Sequence, residues 1–269
     1  RQASQAQARL LRILIDAGIV RRYRGEHYLF AQPQVAAYLA AGTVYEAAPE
    51  HLLHKAALPR WDAALAYASA SADLEPVLRE RLKRTPDINV EYLLGMTRWL
   101  RYAQADSAWR THLLRLLGNM LVAPNQFSVT RERIAAALIG TRDDGTLVIF
   151  RRMVQDANPE LRRLGCIGLG ALRDQSAVPI LQKFIQQDTD DVKIAAALAL
   201  GAIGDERALE AMAAIMVSSE NRAVRRIIAE TLAADPEQGY PTLYDAIREG
   251  SDIMLRRSAL FGLARVKTP

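Results

Sequence analysis

The stretch LGALRDQSAVPILQKFIQQDTDDVKIAAALALGAIGD, residues 169–205, spans one complete unit of a repeating pattern. Apolar residues recur at helical spacing over 176–187 and again over 192–203. The segment 188–191 between them is rich in Asp, and its composition predicts a turn that caps the second helix. Each unit is therefore predicted to be a helix–turn–helix pair. One such pair cannot bury its apolar faces alone, so it needs stacked neighbours to be stable.

The same unit recurs at a period close to 31 residues through the C-terminal half of the chain. Five leucines keep the register, separated by 31, 31, 32 and 31 residues: Leu138, Leu169, Leu200, Leu232 and Leu263. Seven residues before each leucine lies a basic residue: Arg131, Arg162, Lys193, Arg225 and Arg256. A fixed period of this length indicates stacked copies of one unit rather than a globule around a catalytic cleft.

The unit resembles a HEAT repeat, of the short Ala- and Gly-rich kind also found in phycobilin-lyase-like proteins. The resemblance is carried by Leu169-Gly170-Ala171-Leu172-Arg173-Asp174, by Leu200-Gly201-Ala202-Ile203-Gly204-Asp205, and by the pairs Val192-Lys193 and Val224-Arg225. The copies around Leu138, Leu232 and Leu263 are less regular. The resemblance implies an all-α superhelix whose second helices line a concave face, and arrays of this kind mostly bind other molecules.

The composition limits the classes of protein to which the chain can belong. With 269 residues, half of them hydrophobic, the chain can bury a sizeable core. No run of about 18 apolar residues occurs, so we expect no transmembrane helix and no membrane partner. Cys166 is the single cysteine, which excludes an internal disulfide and suits a reducing, cytoplasmic compartment. Its place among glycines in a second helix predicts a small buried residue.

The net charge of +5 is unevenly distributed along the chain. Residues 1–120 contain 16 Lys and Arg against 11 Asp and Glu, whereas residues 121–269 contain 19 of each. The repeat array is therefore neutral, and a neutral array argues against nucleic-acid binding as its main activity.

The first forty residues have a different pattern. A helix is predicted over 8–18, and the segments 19–22 and 27–30 flank Arg24-Gly25-Glu26, which is a hairpin signal. Pro33 then begins a second helix. A helix, a β-wing and a helix form the end of a winged-helix domain, so we predict a partial winged-helix segment before the array.

This segment is similar to the winged helix that follows the nucleotide-binding core of NACHT-type STAND NTPases. The residues that carry the similarity are Leu10-Leu11, Ala17-Gly18-Ile19-Val20, Tyr28-Leu29-Phe30 and Val35-Ala36-Ala37-Tyr38-Leu39-Ala40-Ala41. The chain has Gln32 where the family usually has His, and Ala37 where it usually has Glu. Because that His helps to sense bound nucleotide in the family, its replacement puts nucleotide sensing by this segment in doubt.

The similarity implies a regulatory role. In such proteins the repeats hold the ATPase core closed until a trigger binds, and release leads to oligomerisation and signal transduction, often in innate immunity. No G-x-x-x-x-G-K-(S/T) motif occurs in the chain, which opens with Arg1 rather than Met and lacks a signal-peptide pattern. We therefore expect a non-catalytic fragment whose ATPase core lies upstream of Arg1. We expect it to be monomeric and to need no cofactor and no metal.

The chain is predicted to have three parts. Residues 1–45 are the C-terminal part of a winged-helix domain, 46–125 are a helical adaptor with irregular repeats, and 126–269 are the HEAT repeats. Trp61 begins a predicted adaptor helix directly after Pro59, and further helices are predicted up to Leu121.

Basic residues at the start of each second helix are the main candidate site. They are Arg131, Arg162, Arg163, Lys193, Arg225, Arg226, Arg256 and Arg257. As a positive stripe on the concave face they would hold phosphates or an acidic partner. Alternatively they form a structural ladder, paired with acids such as Asp156, Asp188 and Glu220. The ladder is the favoured interpretation, and the doubled positions Arg163, Arg226 and Arg257 are the better ligand candidates because one pairing residue per repeat suffices.

Three other groups have a functional and a structural interpretation, and the structural one is favoured for each. Arg21, Arg22 and Arg24 surround Tyr23 on the wing, where winged helices sometimes contact DNA, but the favoured interpretation is a solvated wing that packs against a neighbouring domain absent from the chain. His51 and His54 are one helical turn apart, without a cysteine or adjacent acid to complete a metal site, and His27 and His112 stand alone.

The third group consists of Trp99, Asp106 and Trp109. HEAT proteins that act as DNA glycosylases place aromatics and an Asp in their groove. The spacing here has no signature of that family, and the array lacks the required positive charge. Helix-packing tryptophans and a loop aspartate are therefore expected.

Two classes of function remain. The first is a sensor module that binds a protein or other macromolecular trigger, or its own upstream ATPase domain, and controls that ATPase. The second is a stand-alone HEAT scaffold that holds protein partners. A nucleic-acid-binding HEAT protein is a weaker third hypothesis.

Overall fold

The computed structural model of the chain describes residues 2–46, 53, 58–83, 90–250 and 252–265. Within these residues the fold is all-α apart from one two-stranded hairpin, which confirms the predicted class. The chain forms two compact units, Arg1–Leu113 and Leu114–Pro269. The three-part division at residues 45 and 125 stays a prediction. None of the helices described has the length and apolarity needed to cross a membrane.

The first unit begins with the predicted helix, hairpin and helix. Its elements are α1 (Gln2–Asp16), β1 (Val20–Arg24), β2 (His27–Phe30), α2 (Pro33–Glu46), α3 (Asp62–Ala68), α4 (Glu75–Leu82) and α5 (Glu91–Met96). Short 3-10 turns at Pro59–Trp61 and Thr97–Arg101 precede α3 and follow α5. A further helix, α6 (Ala108–Val122), spans the division between the units.

Two glycines shape the N-terminal segment. Gly18, with φ +69°, follows α1 and lets the chain turn back, so that the Ile19 amide reaches the Leu14 carbonyl at 2.9 Å. Gly25, with φ +55°, lies in the turn between β1 and β2, which pair antiparallel with Val20 opposite Phe30. The hairpin therefore forms at the position that the sequence predicts.

The second unit is a series of helix pairs. After α6 follow α7 (Ser128–Thr141), α8 (Gly145–Met153), α9 (Pro159–Ala171), α10 (Val178–Gln187), α11 (Asp190–Ile203), α12 (Glu206–Ser218), α13 (Arg222–Leu232), α14 (Gly239–Arg248) and α15 (Ile253–Ala264). The odd-numbered members, α7 to α15, are the second helices of the pairs, and they pack against one another in sequence. From α8 onward each first helix also packs against its own second helix.

Glycines on the second helices allow this close packing. A Cβ on Gly170 would lie 2.6 Å from Cα of Ala199 on the next second helix. A Cβ on Gly201 would lie 2.5 Å from Cγ2 of Thr231, one repeat further on. The Leu-Gly-Ala pattern therefore marks the point where consecutive second helices touch.

The turn at 188–191 differs from its prediction in one respect. The residue before α11 is Thr189, whose side chain makes no capping hydrogen bond. The Asp188 carboxylate instead binds Arg162 and the Thr189 amide. Asp190 and Asp191 lie in the first turn of α11, where negative charge is favourable near the helix N-terminus. The segment therefore supplies the turn and the N-cap residue before α11 as predicted, but without a side-chain capping hydrogen bond.

Candidate interaction surface on the second helices

The first basic residue of a second helix is tied into the scaffold, as Arg162 shows. Arg162 donates from Nε and Nη2 to the two carboxylate oxygens of Asp188, at 2.7 and 2.8 Å. Its Nη1 donates to the carbonyl oxygens of Asp156 and Ala157, at 3.0 and 2.7 Å. Hydrogen bonds from Arg162 hold the pKa of Asp188 below its usual value, although burial opposes that shift. The guanidinium thus joins two repeats and closes the turn before α9.

Arg131 has the same role one repeat earlier. Its side chain is only 5% exposed and donates to the Glu160 carboxylate on α9. It also donates to the carbonyl oxygens of Leu121, at 2.9 Å, and Ala123, at 2.6 Å. All three acceptors belong to the scaffold of the array.

Arg225 and Arg256 complete this pattern toward the C-terminus. Arg225 is buried and donates to the Asp252 carboxylate and, at 3.4 Å, to the Val217 carbonyl. Arg256 donates from Nε to the Gly250 carbonyl at 2.6 Å. Arg225 therefore joins the end of α12 to the residue before α15 of the next repeat, and Arg256 holds the turn that precedes its own helix.

Lys193 is the exception in this row. Its Nζ lies 4.0 Å from Oδ1 of Asp190, on the same helix. The link to the next repeat comes instead from Asn221, whose Nδ2 donates to Asp190 Oδ1 at 2.8 Å. An amide thus replaces the guanidinium at this junction.

The structural-ladder interpretation, in which each base pairs with an acid, therefore fits Arg131, Arg162 and Arg225, whereas the exposed Arg256 contacts a backbone carbonyl. Of the acids predicted to complete the ladder, Asp188 does so. Asp156 contributes its backbone carbonyl rather than its carboxylate. Arg131 and Arg225 pair with Glu160 and Asp252, which the sequence did not single out, and among the described residues Glu220 forms no ion pair with either arginine.

The residues directly after the ladder form a second row, which we call the first column. It consists of Glu132, Arg163, Ile194, Arg226 and Arg257, one from each second helix. Arg163 is paired within the column, because its Nη2 donates to Glu132 Oε1 at 2.5 Å. Ile194 carries no charge, so the column offers no acid to the two arginines beyond it.

Arg226 and Arg257 line a surface depression of about 210 Å³ between α13 and α15. Its wall also contains Arg222, Met254, Ser258 and Phe261. Among the residues that the structure describes, no acidic side chain forms an ion pair with any of these three arginines. Three exposed guanidinium groups thus share one depression without a counterion from the protein.

Two acids near this depression, Asp252 and Glu230, are engaged elsewhere. Asp252 binds Arg225, and Glu230 Oε1 lies 3.3 Å from Arg265 Nε. Arg226 is held from the other side, because its Cζ lies 3.8 Å from the centroid of the Phe261 ring. Such stacking leaves the N–H groups in the guanidinium plane free to bind an anion.

The second column lies one helical turn further along the same helices. It consists of Ala136, Ile167, Leu198, Glu230 and Phe261. Ile167 is 38% exposed and Leu198 is 52% exposed. Apolar and basic side chains therefore occupy one continuous set of helix positions on the second helices.

Arg222 and Phe261 were missed by the sequence analysis. Each lies four residues from a predicted arginine, Arg222 before Arg226 and Phe261 after Arg257. Residues four apart share a helix face. Helical spacing from the predicted arginines would have found both.

The tryptophan candidates belong to the core of the first unit. Trp99 and Trp109 are at most 1% exposed and pack edge to face, with ring centroids 6.2 Å apart. Asp106 is exposed in the loop before α6. The geometry matches the helix-packing interpretation.

A buried ion pair lies beside these rings. Arg81 Nη1 is 2.5 Å from Asp62 Oδ1, and the Arg81 guanidinium carbon lies 4.8 Å from the Trp99 ring centroid. Burial raises the pKa of Asp62, and the charge of Arg81 opposes that rise. Gly95 is required here, because a Cβ would lie 2.1 Å from Asp62 Oδ2. The pair is enclosed in the helix packing.

The histidine predictions have mixed outcomes. His51 and His54 lie outside the described residues. Within the described part of the chain, no group of three His, Cys, Asp or Glu is arranged to hold a metal ion. His112 does not stand alone as expected, because its Nδ1 lies 3.2 Å from Glu75 Oε1. His27 Nδ1 lies 3.1 Å from the Arg24 carbonyl.

The wing arginines are exposed on β1. Arg22 Nε donates to the Gly25 carbonyl at 2.5 Å, and Arg24 lies 5.5 Å from the Tyr23 ring centroid. These contacts are local to the hairpin. Whether the wing contacts DNA or a neighbouring domain stays a prediction.

Cys166 is the small buried residue that the sequence predicts. It is fully buried in α9, and burial raises the pKa of its thiol to about 12. A thiol in this state is a poor nucleophile.

Comparison with known proteins supports the repeat assignment. A sequence model of HEAT repeats matches residues 146–233, which are 88 of the 269 residues. The matched span covers α9 to α13 and most of α8. No curated protein matches the chain. Residues 146–233 are therefore a HEAT-repeat region, and the second helices on either side, α7 and α15, continue the same packing.

Proposed function

We propose that the chain is a non-catalytic, monomeric interaction module of the cytoplasm. Its HEAT array binds an acidic segment of a protein partner on the surface formed by the first and second columns. HEAT repeats generally mediate protein interactions through an extended surface of this kind. The neutral charge of residues 121–269 favours a protein over a nucleic acid.

One observation carries this proposal. The two columns leave Leu198 half exposed and Arg226 and Arg257 without an acidic partner. Exposed arginines next to apolar side chains are typical of protein interfaces, whereas buried ladder arginines belong to the scaffold. The complementary partner is therefore a segment that carries both acidic and apolar side chains.

Affinity capture with quantitative mass spectrometry tests the proposal. The wild-type chain is compared with Leu198→Asp, which places a charge in the second column. The matched control is Val217→Asp, because Val217 is 61% exposed on the first helix α12, away from the columns. We expect a set of proteins that the wild type and Val217→Asp retain and Leu198→Asp loses.

Circular dichroism must show that both variants keep their helices. Equal retention of every protein by Leu198→Asp and the wild type would rule out the second-helix surface as the binding site. Equal loss in both variants would show that the loss is not specific to the second-helix surface.

A second candidate function is that the array is the sensor arm of a NACHT-type ATPase encoded upstream of Arg1. The observation that favours it is the N-terminal segment α1, β1, β2 and α2. Its apolar residues Leu10, Ile13 and Leu39 are 57, 54 and 55% exposed, as expected for a face that another domain covers. A trigger bound to the columns would then favour the open form of the enzyme over the closed form.

The gene sequence tests this second candidate. We expect a G-x-x-x-x-G-K-(S/T) motif upstream of Arg1, preceded by a strand pattern and followed by a helix pattern. A gene without such a motif would eliminate the sensor-arm proposal and leave the interaction module unaffected.

A further inference from the structure

The depression between α13 and α15 has the chemistry of an oxyanion site. Arg222 and Arg226 lie one turn apart on α13, and Arg257 lies on α15. All three line the same space of about 210 Å³, and each is exposed. Guanidinium groups bind phosphate and carboxylate oxygens with short, charge-assisted hydrogen bonds.

Within the described residues of the array, no acidic side chain forms an ion pair with these arginines. At the equivalent position two repeats earlier, Arg163 is neutralised by Glu132. The depression around Arg163, of about 370 Å³, also contains Glu160 and Asp191. Charge is therefore balanced there and unbalanced at Arg226 and Arg257. The charge balance differs because the first column has the uncharged Ile194 between Arg163 and Arg226, where an acidic residue could have paired with Arg226.

The site is also preorganised. Phe261 fixes Arg226 by stacking at 3.8 Å, so the guanidinium loses little conformational freedom when it binds an anion. Met254 and Phe261 add apolar surface beside the arginines, and the Ser258 side chain completes the wall. The depression therefore suits a ligand that carries a negatively charged group on a short apolar chain.

We propose that this depression binds the phosphoryl group of a phosphorylated Ser or Thr in the protein partner. A phosphomonoester carries a charge of about −1.5 to −2 at neutral pH. It therefore matches three guanidinium groups better than a carboxylate, which carries a single negative charge. The short alkyl stem would contact Met254 and Phe261. The inference rests on the proposed function, because it places one contact of the partner within the second-helix surface.

A peptide is favoured over a nucleic acid as the carrier of the phosphoryl group. A polynucleotide requires successive basic contacts along the surface. The columns continue from Arg226 toward the N-terminus with Ile194, Leu198 and Ile167, which provide no such contacts. One phosphate site next to apolar positions matches a phosphorylated protein segment.

The experiment is an NMR titration of the full chain, with detection of the arginine side-chain Nε–H groups. The probe is the peptide Ac-Gly-pThr-Leu-NH2, and the unphosphorylated peptide, the same peptide with Glu in place of phosphothreonine, and inorganic phosphate are titrated in parallel. We expect saturable shifts at Arg226 and Arg257 with the phosphopeptide, and weaker binding of inorganic phosphate, which lacks the stem. The Glu peptide should bind about tenfold more weakly, the effect of losing one charge-assisted hydrogen bond.

Variants identify the site. Arg226→Gln and Arg257→Gln should each weaken phosphopeptide binding about tenfold, whereas Arg152→Gln, at an exposed arginine on the first helix α8 outside the columns, should leave it unchanged. No saturable shift at millimolar phosphopeptide would overturn the proposal. So would equal loss in Arg152→Gln, or tighter binding of a single-stranded oligonucleotide through Arg226 and Arg257.

This result is independent of the capture experiment. If Leu198→Asp loses partners and the phosphopeptide does not bind, the second-helix surface stands and the phosphoryl site falls. If the phosphopeptide binds and Leu198→Asp loses no partner, the site exists but the partner surface lies elsewhere.

Discussion

Arg162 and Arg163 are neighbours in the sequence, yet their side chains have different surroundings. Arg162 makes four hydrogen bonds to Asp188 and to two backbone carbonyls. Arg163 makes one ion pair with Glu132, whose side chain is 51% exposed. The pair Arg225 and Arg226 repeats this contrast, because Arg225 binds Asp252 whereas Arg226 lines the depression without an ion pair among the described residues, which separates stability from binding at the level of single residues.

Replacement of these arginines should separate the two roles. We expect Arg162→Gln to lower the free energy of unfolding by about 2 kcal/mol, because a buried carboxylate and two carbonyls lose a charged donor. Arg257→Gln should change it by less than about 0.5 kcal/mol, as for other exposed residues. Urea unfolding followed by circular dichroism measures both. Similar losses in the two variants would show that the doubled arginines are also part of the scaffold.

The Arg162–Asp188 pair should also make stability depend on pH. The folded pKa of Asp188 lies below its usual value, so its contribution is complete above about pH 4 and is lost as the pH falls through the folded value. We therefore expect Asp188→Asn to be less stable than the wild type at neutral pH, with a difference that narrows in acid. Urea unfolding at a series of pH values measures this.

The matched control for that series is Asp144→Asn. Asp144 is exposed and its side chain makes no capping hydrogen bond. This variant should follow the pH profile of the wild type. A constant gap between Asp188→Asn and the wild type down to strong acid would contradict the assigned role of the ion pair.

At the scale of elements, glycines decide how closely the second helices pack. Gly170→Ala should destabilise the protein by about 1–3 kcal/mol, although Ala is the better helix former, because the added methyl group would overlap Ala199. Gly140→Ala is the control, since nothing lies within 4 Å of the added Cβ on α7. It should stabilise the protein by up to about 1 kcal/mol. Thermal unfolding of both variants checks these signs.

A destabilised Gly140→Ala variant, or a neutral Gly170→Ala variant, would show that the second helices can adjust their spacing. The packing of the array would then depend less on the Leu-Gly-Ala pattern than the geometry indicates.

The register of the repeats was predictable from sequence because it follows from helix periodicity. The leucine spacing placed every second helix, and the ladder arginines followed from their fixed offset. The acids that pair with them were harder to predict, because they lie 29, 26 and 27 residues after Arg131, Arg162 and Arg225. The turns differ in length from repeat to repeat, so no single sequence distance identifies the partner.

The candidate surface was predictable in part. The doubled positions Arg226 and Arg257 were identified, whereas Arg163 was grouped with them although it is paired with Glu132. That pairing joins two exposed residues on adjacent helices 31 positions apart. Whether Arg163 is paired depends on the side chain at the equivalent position of the neighbouring repeat. The sequence pattern within one repeat does not specify that side chain.

At the scale of the whole molecule, the neutral charge of the array conceals a local imbalance. Residues 121–269 contain as many acids as bases, yet the ladder and the Arg163–Glu132 pair use acids in a way that leaves Arg222, Arg226 and Arg257 unneutralised. Net charge alone therefore understates how strongly the last two repeats can attract an acidic partner. Specific binding through few charges should weaken moderately, rather than steeply, with added salt.

Charge reversal at the last two repeats tests the central claim most directly. The double variant Arg226→Glu/Arg257→Glu is compared with Arg152→Glu, at an exposed arginine on the first helix α8, for binding to a partner identified by affinity capture, with the helical content of each confirmed first. We expect the double variant to lose the partner, with at least about tenfold weaker binding per reversed contact, while Arg152→Glu retains it. Undiminished binding by the folded double variant would contradict the assignment of the binding surface to the second helices.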